Sequence, residues 1–187
     1  SEGAGLGVRF LKHLTRCRLL LHAVDMAPVD GSDPAENVRT IAAELQKFSP
    51  TLAGRERWLL LNKVDLLDEG ERESRCQAVV DALQWTGPVF KTSGLMAEGT
   101  KEVVYYLMDQ IEQQREREVE DPEYAAEIKA LREQLEAETR EQTIAAKEAY
   151  RLMRRQQRLE GILGDDDEDE DEDSDGDDGD MEVFYVR

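Results

Sequence analysis

The stretch Trp58-Leu59-Leu60-Leu61-Asn62-Lys63-Val64-Asp65 decides how this chain is read. Its first half is a short apolar run, which reads as a buried strand. Its second half is Asn-Lys-x-Asp, with Val64 at the variable position. It sits at the strand's carboxyl end, where open α/β sheets place their ligands. These residue types suit one base. Guanine presents N1–H and a 2-amino group side by side, two donors pointing the same way. The Asp65 carboxylate can accept from both, and an ionised acceptor makes the stronger class of hydrogen bond. Adenine has an acceptor at N1 and no 2-amino group, so the same carboxylate repels it. A site built on such a pair rejects the wrong partner by factors on the order of 10⁴. The Lys63 stem can lie along the ring, and the Asn62 amide can tie its loop to neighbours. The bland alternative is a polar turn after a strand.

Upstream, Arg18 to Met26 (RLLLHAVDM) is an apolar run broken by His22. It predicts a strand buried on both faces, as in parallel sheets. His22 reads as a core or semi-core residue. Asp25, at the strand's end, either lines the site or braces a loop. A helix is expected before it, from about Leu6 to Thr15, with Phe10, Leu14 and Cys17 at helical spacing. Ser1 to Gly7 is glycine-dense and suits a loop whose backbone comes close to something. After the strand, Asp33 reads as an N-cap, with Pro34 at the first helical position and Glu36 completing a capping box. Val38, Ile41, Leu45 and Phe48 form one buried stripe, and Ser49-Pro50 ends that helix.

Downstream, a helix is expected over Glu71 to Gln84, with Cys76, Val79, Val80 and Leu83 inward. A short strand follows over Pro88 to Thr92, then the turn Ser93-Gly94-Leu95, then a helix from Thr100 carrying Val103, Val104, Leu107, Met108 and Ile111. Strands alternating with helices imply an α/β fold with a parallel sheet. One βαβ unit of about thirty residues separates Asn62 from Ser93. Both turns should therefore share one edge of the sheet. A backbone N–H at Gly94 or Leu95 then reaches guanine O6, and Ser93 braces the loop that carries Asp65.

The chain has 187 residues and a formal charge of −19. Thirteen acidic residues fall within Asp165 to Asp180, and without them the charge is −6. Such a run cannot bury enough apolar surface to offset ordering entropy, so a disordered tail is expected over 163–187. Two cysteines, Cys17 and Cys76, give no disulfide framework and point to the cytoplasm. No apolar run is long enough to span a membrane, and there is no signal peptide or DNA-binding motif.

Residues 113–122 read as a linker, and 123–162 as a charged helical extension. Tyr124, Ile128, Leu131 and Leu135 make a short apolar stripe that fades after Glu138. A solvated helix is favoured over a coiled coil, held by i,i+4 pairs such as Arg132–Glu136 and Glu136–Arg140. Lys147, Arg151, Arg154, Arg155 and Arg158 form a basic segment that suits RNA, for which the acidic tail would compete.

The opening Ser-Glu-Gly-Ala-Gly-Leu-Gly-Val-Arg-Phe-Leu-Lys-His-Leu, the run Asp30 to Asn37 and the run Arg57 to Leu67 together resemble the bacterial Obg GTPases over about residues 1–112. The ending Glu182 to Arg187 after an acid run is similar to the tail of some members. The resemblance implies the second half of a small-GTPase (P-loop NTPase) sheet. It assigns Asn62, Lys63, Val64 and Asp65 to the guanine motif, and Ser93, Gly94 and Leu95 to the second base-contacting loop. That loop is usually Ser-Ala-x, and Gly94 in place of Ala implies a looser turn and a weaker base contact. Ser1 to Gly7 matches the far end of the second switch region. No Gly-x-x-x-x-Gly-Lys-Ser/Thr phosphate loop and no Asp-x-x-Gly metal loop occurs in the sequence. The resemblance therefore implies a carboxyl-terminal fragment that recognises GTP or GDP without hydrolysing it. The Mg²⁺ ligands and catalytic groups would lie upstream in an intact GTP hydrolase. It also implies partners in ribosome biogenesis, a ribosomal subunit or rRNA. The competing expectation is a non-enzymatic module whose charged helix and acidic tail bind ribosomal or RNA-linked partners.

Overall fold

The structure, a computed structural model, describes residues 8–160. The chain divides into two units, 1–147 and 148–187. The first contains a three-stranded parallel sheet, β1 (Leu20–Asp25), β2 (Arg57–Asn62) and β3 (Val89–Lys91), in the order β1-β2-β3. Leu20 pairs with Arg57 and Asp25 with Asn62, while Leu59 pairs with Val89. The helices are α1 (Val8–Leu14), α2 (Pro34–Phe48), α3 (Pro50–Ala53), α4 (Arg72–Leu83), α5 (Thr100–Glu120) and α6 (Pro122–Leu159). The expected α/β alternation and parallel pairing are present. The glycine-rich Ser1 to Gly7, the acidic run and the final six residues lie outside the described residues.

Two apolar clusters hold the first unit. Val24 of β1, Met26 just beyond its end, and Leu59 and Leu61 of β2 pack on Ala35 and Val38 of α2 and on Cys76 and Val79 of α4. Leu20 packs with Leu11, Leu45, Phe48, Leu52 and Leu135. So β1 is not buried on both faces: Leu21 is 42% exposed and Ala23 is also exposed. The reason is its position at the sheet's edge, where helices cover one face only. Its outer edge carries backbone groups that pair with no described strand.

Local signals account for most element ends. Asp33 accepts from the Ala35 N–H at 2.9 Å, with Pro34 behind it. The capping box does not close, because Glu36 pairs with Arg39 instead. Ser49 closes α2 and caps α3 by accepting from Leu52 N–H at 2.9 Å, a short helix where only a polar connection was expected. Helix α5 runs on to Glu120, so the linker expected over 113–122 shrinks to Asp121. That residue ends α5, and its carboxylate accepts from Glu123 and Tyr124 N–H at 3.0 Å to start α6.

Helix α6 is not a solvated rod. Leu135 is 1% exposed in the second cluster. Glu138 accepts from the hydroxyls of Ser49 and Thr51 and from Thr51 N–H. Burial pushes the Glu138 carboxyl up, but these donors bring it below its ordinary range. Arg132 bonds Glu118 of α5 at 3.1 Å rather than Glu136, and Arg18 joins the same carboxylate at 2.6 Å. The tertiary partner wins because Glu118 is held between two guanidinium groups, whereas an exposed i,i+4 pair gives only about 0.2–0.5 kcal/mol.

His22, half-buried on β1 opposite Leu59, has its pKa lowered from 6.5 to about 4 by burial and then by the Arg57 guanidinium. The unfolded chain takes up this proton first as pH falls. Stability from this residue is therefore full above pH 6.5 and drains away down to about pH 4, by up to roughly 3 kcal/mol. Urea unfolding at pH 7 and pH 4.5 should show it, and His22→Gln should flatten the difference. An equal pH slope in the variant would contradict it.

Candidate functional site

Strand β2 ends at Asn62, and Lys63 follows in the left-handed region at φ 63°. A single 3-10 turn, Val64–Leu66, then carries Asp65. This reversal is costly for a residue with a Cβ, and two contacts hold it. Lys63 Nζ lies 2.6 Å from Asp25 Oδ2 at the end of β1. Val64 is fully buried, and its N–H donates to Thr92 O at 3.3 Å. Asp25 thus braces loops on both sides, since its other oxygen accepts from Ala27 N–H at 2.9 Å. The ion pair is partly exposed and worth little in energy. Its consequence is geometric, because it fixes where the Lys63 stem starts and ends.

The second loop follows β3, which lies next to β2, so both turns share one sheet edge as expected. Asn62 Oδ1 accepts from Gly94 N–H at 3.1 Å and joins the two loops directly. Ser93 is fully buried, but its hydroxyl accepts from Met96 N–H at 3.0 Å. It therefore braces its own loop, and the cross-loop tie falls to Asn62. Because Gly94 N–H is engaged by Asn62, the N–H left pointing at no described acceptor is that of Leu95, whose side chain is 87% exposed. Asp65 is half-buried, and its carboxylate has no hydrogen-bond or ion-pair partner among the described residues. All seven predicted residues, Asn62, Lys63, Val64, Asp65, Ser93, Gly94 and Leu95, thus lie on two loops joined side by side.

Glycine at 94 is not demanded by the turn. Its φ is not positive, and a Cβ there would meet nothing nearer than Asn62 Oδ1 at 3.9 Å. The close approach is at Gly99, which sequence reasoning passed over. Its φ is +69°, and an added Cβ would lie 2.2 Å from the Lys91 carbonyl oxygen. Glu98 beside it is also part of the support. Its carbonyl accepts from Ser93 N–H at 3.0 Å, and its carboxylate pairs with Arg72 at 3.1 Å. The only sequence signal for Gly99 was a glycine immediately before a helix.

No group of side chains able to hold a metal ion occurs among the described residues. No described helix is long and apolar enough to cross a membrane. No protein-family model matches the chain.

Proposed function

We propose that this chain binds guanine nucleotides, supplying the base-recognition half of an Obg-like GTPase. The observation that carries the proposal is the pair of loops tied by Asn62 and Gly94, with the Asp65 carboxylate and Leu95 N–H beside them, both without a partner among the described residues. A carboxylate acceptor and a backbone donor on adjacent loops match the N1–H, 2-amino and O6 groups of guanine. Lys63, tethered to Asp25, offers its stem to the ring face. The small-GTPase arrangement of the sheet and the role in ribosome biogenesis rest on the resemblance alone. The sequence holds no phosphate loop and no metal loop, so hydrolysis and Mg²⁺ binding are not assigned to these residues.

A few charge-assisted bonds at about 1.5–3 kcal/mol each, less the cost of association, put the affinity for base and ribose near millimolar or weaker. Amide shifts of the labelled protein should therefore move with millimolar guanosine at Asn62–Asp65 and Ser93–Leu95, and not with adenosine. Equal responses to the two nucleosides would overturn the proposal.

A further inference from the structure

An open groove, apart from these loops, lies between β3 and α5 and has a volume of ≈ 550 Å³. Its size is that of a ligand pocket, about 300–1,000 Å³. Its wall is aromatic. The rings of Trp58 and Phe90 are 5.4 Å apart, and those of Phe90 and Tyr106 5.8 Å. Its rim is acidic. Glu102, Tyr106 and Asp109 fall on one face of α5 at spacings of four and three. Among the described residues the Glu102 carboxylate has no partner, and Asp109 accepts only from Gln113 Nε2 at 2.8 Å. The cation in the lining, Lys91, is already paired with Glu73. Trp58 is 3% exposed, with Nε1 donating to Glu56 at 2.9 Å, so it backs the wall, and the rings that reach the groove are those of Phe90 and Tyr106. Strand β3 is the other edge of the sheet. Thr92 N–H donates inward to Leu61 O at 2.8 Å, so strand alternation points the backbone groups of Val89 and Lys91 outward, where the Gly99 backbone lies against the Lys91 carbonyl.

We propose that this groove binds an arginine side chain of a basic partner protein. A planar guanidinium stacks on aromatic faces and takes carboxylates at its edge, which a compact ammonium does less well. Nucleic acid would also stack on the rings, but Glu102 and Asp109 repel phosphate. Even without the acidic run the chain carries a net charge of −6, which draws in a cationic partner. None of this depends on guanine recognition.

The test uses the full labelled chain and two blocked pentapeptides, Gly-Val-Arg-Val-Gly and its neutral citrulline counterpart. The arginine peptide should move amides of Val89–Lys91 and Glu102–Asp109 and bind about tenfold tighter than the citrulline peptide. That preference should vanish in Glu102→Gln with Asp109→Asn, two helix-surface changes that leave the melting temperature in place. Tyr106→Ala should weaken both peptides. Equal binding of the two peptides, shifts confined to residues 165–180, or the same amides moving with oligouridine would each overturn the proposal.

Discussion

Leu135→Ala is expected to cost the first unit about 2–5 kcal/mol, the range for emptying a buried leucine site. The side chain is 1% exposed and fills a socket made by five residues from four other segments, Leu11, Leu20, Leu45, Phe48 and Leu52. These belong to α1, β1, α2 and α3, elements that cannot close together on a smaller side chain without moving as bodies. The loss is large against a typical total of about 5–15 kcal/mol. It should also loosen a neighbouring contact, since Glu138 lies one turn further along α6 and holds Ser49 and Thr51. Urea unfolding followed by tryptophan fluorescence gives the energy. Amide exchange at Leu52 and Ala53 shows whether α3 is released with it. A cost under about 1 kcal/mol would mean that α6 is only loosely laid on the core.

Gly99→Ala should cost more than about 2 kcal/mol. Two penalties combine there. A left-handed φ of +69° is unfavourable for alanine, and the new Cβ would sit 2.2 Å from a backbone oxygen that no rotamer change can move. The obstructing atom is the Lys91 carbonyl, so relief requires shifting the 93–98 loop away from β3 and straining the Ser93–Glu98 bridge. Gly31→Ala is the control. Its φ is +71° with nothing within 4 Å of the added Cβ, so it should cost only the conformational part, about 1–2 kcal/mol. The difference between the two variants isolates the close approach. Gly99→Ala should also weaken guanosine binding, because it displaces Leu95. Equal costs at the two glycines would contradict this account.

That the turns after Asn62 and at Ser93 share one sheet edge was legible from chain order, whereas the Asn62–Gly94 bond that joins them was not, since the brace was expected from Ser93. Two turns at the same ends of parallel neighbouring strands must meet. The caps at Asp33 and Ser49 were legible in part, since they are local. What the sequence concealed was tertiary. Leu21 is apolar enough for a buried strand, and only the sheet order makes it exposed. Arg132 has a good local partner in Glu136 and takes Glu118 because α5 lies alongside. Leu135 looked like the end of a fading stripe because its socket is drawn from residues far away in the chain. Gly99 had no periodic signature, as the atom that forbids a side chain there belongs to another element.

The central claim is that the Asp65 carboxylate chooses the base. Asp65→Asn replaces one of its two acceptor oxygens by a donor. Asparagine matches xanthine, which keeps N1–H but carries a carbonyl oxygen where guanine has its 2-amino group. The direct measurement is guanosine against xanthosine binding, by amide shift titration, in the parent and in Asp65→Asn. The parent should prefer guanosine by at least about tenfold, the worth of one charge-assisted hydrogen bond, and the variant should reverse that preference. An unchanged preference in Asp65→Asn would contradict base recognition by this loop.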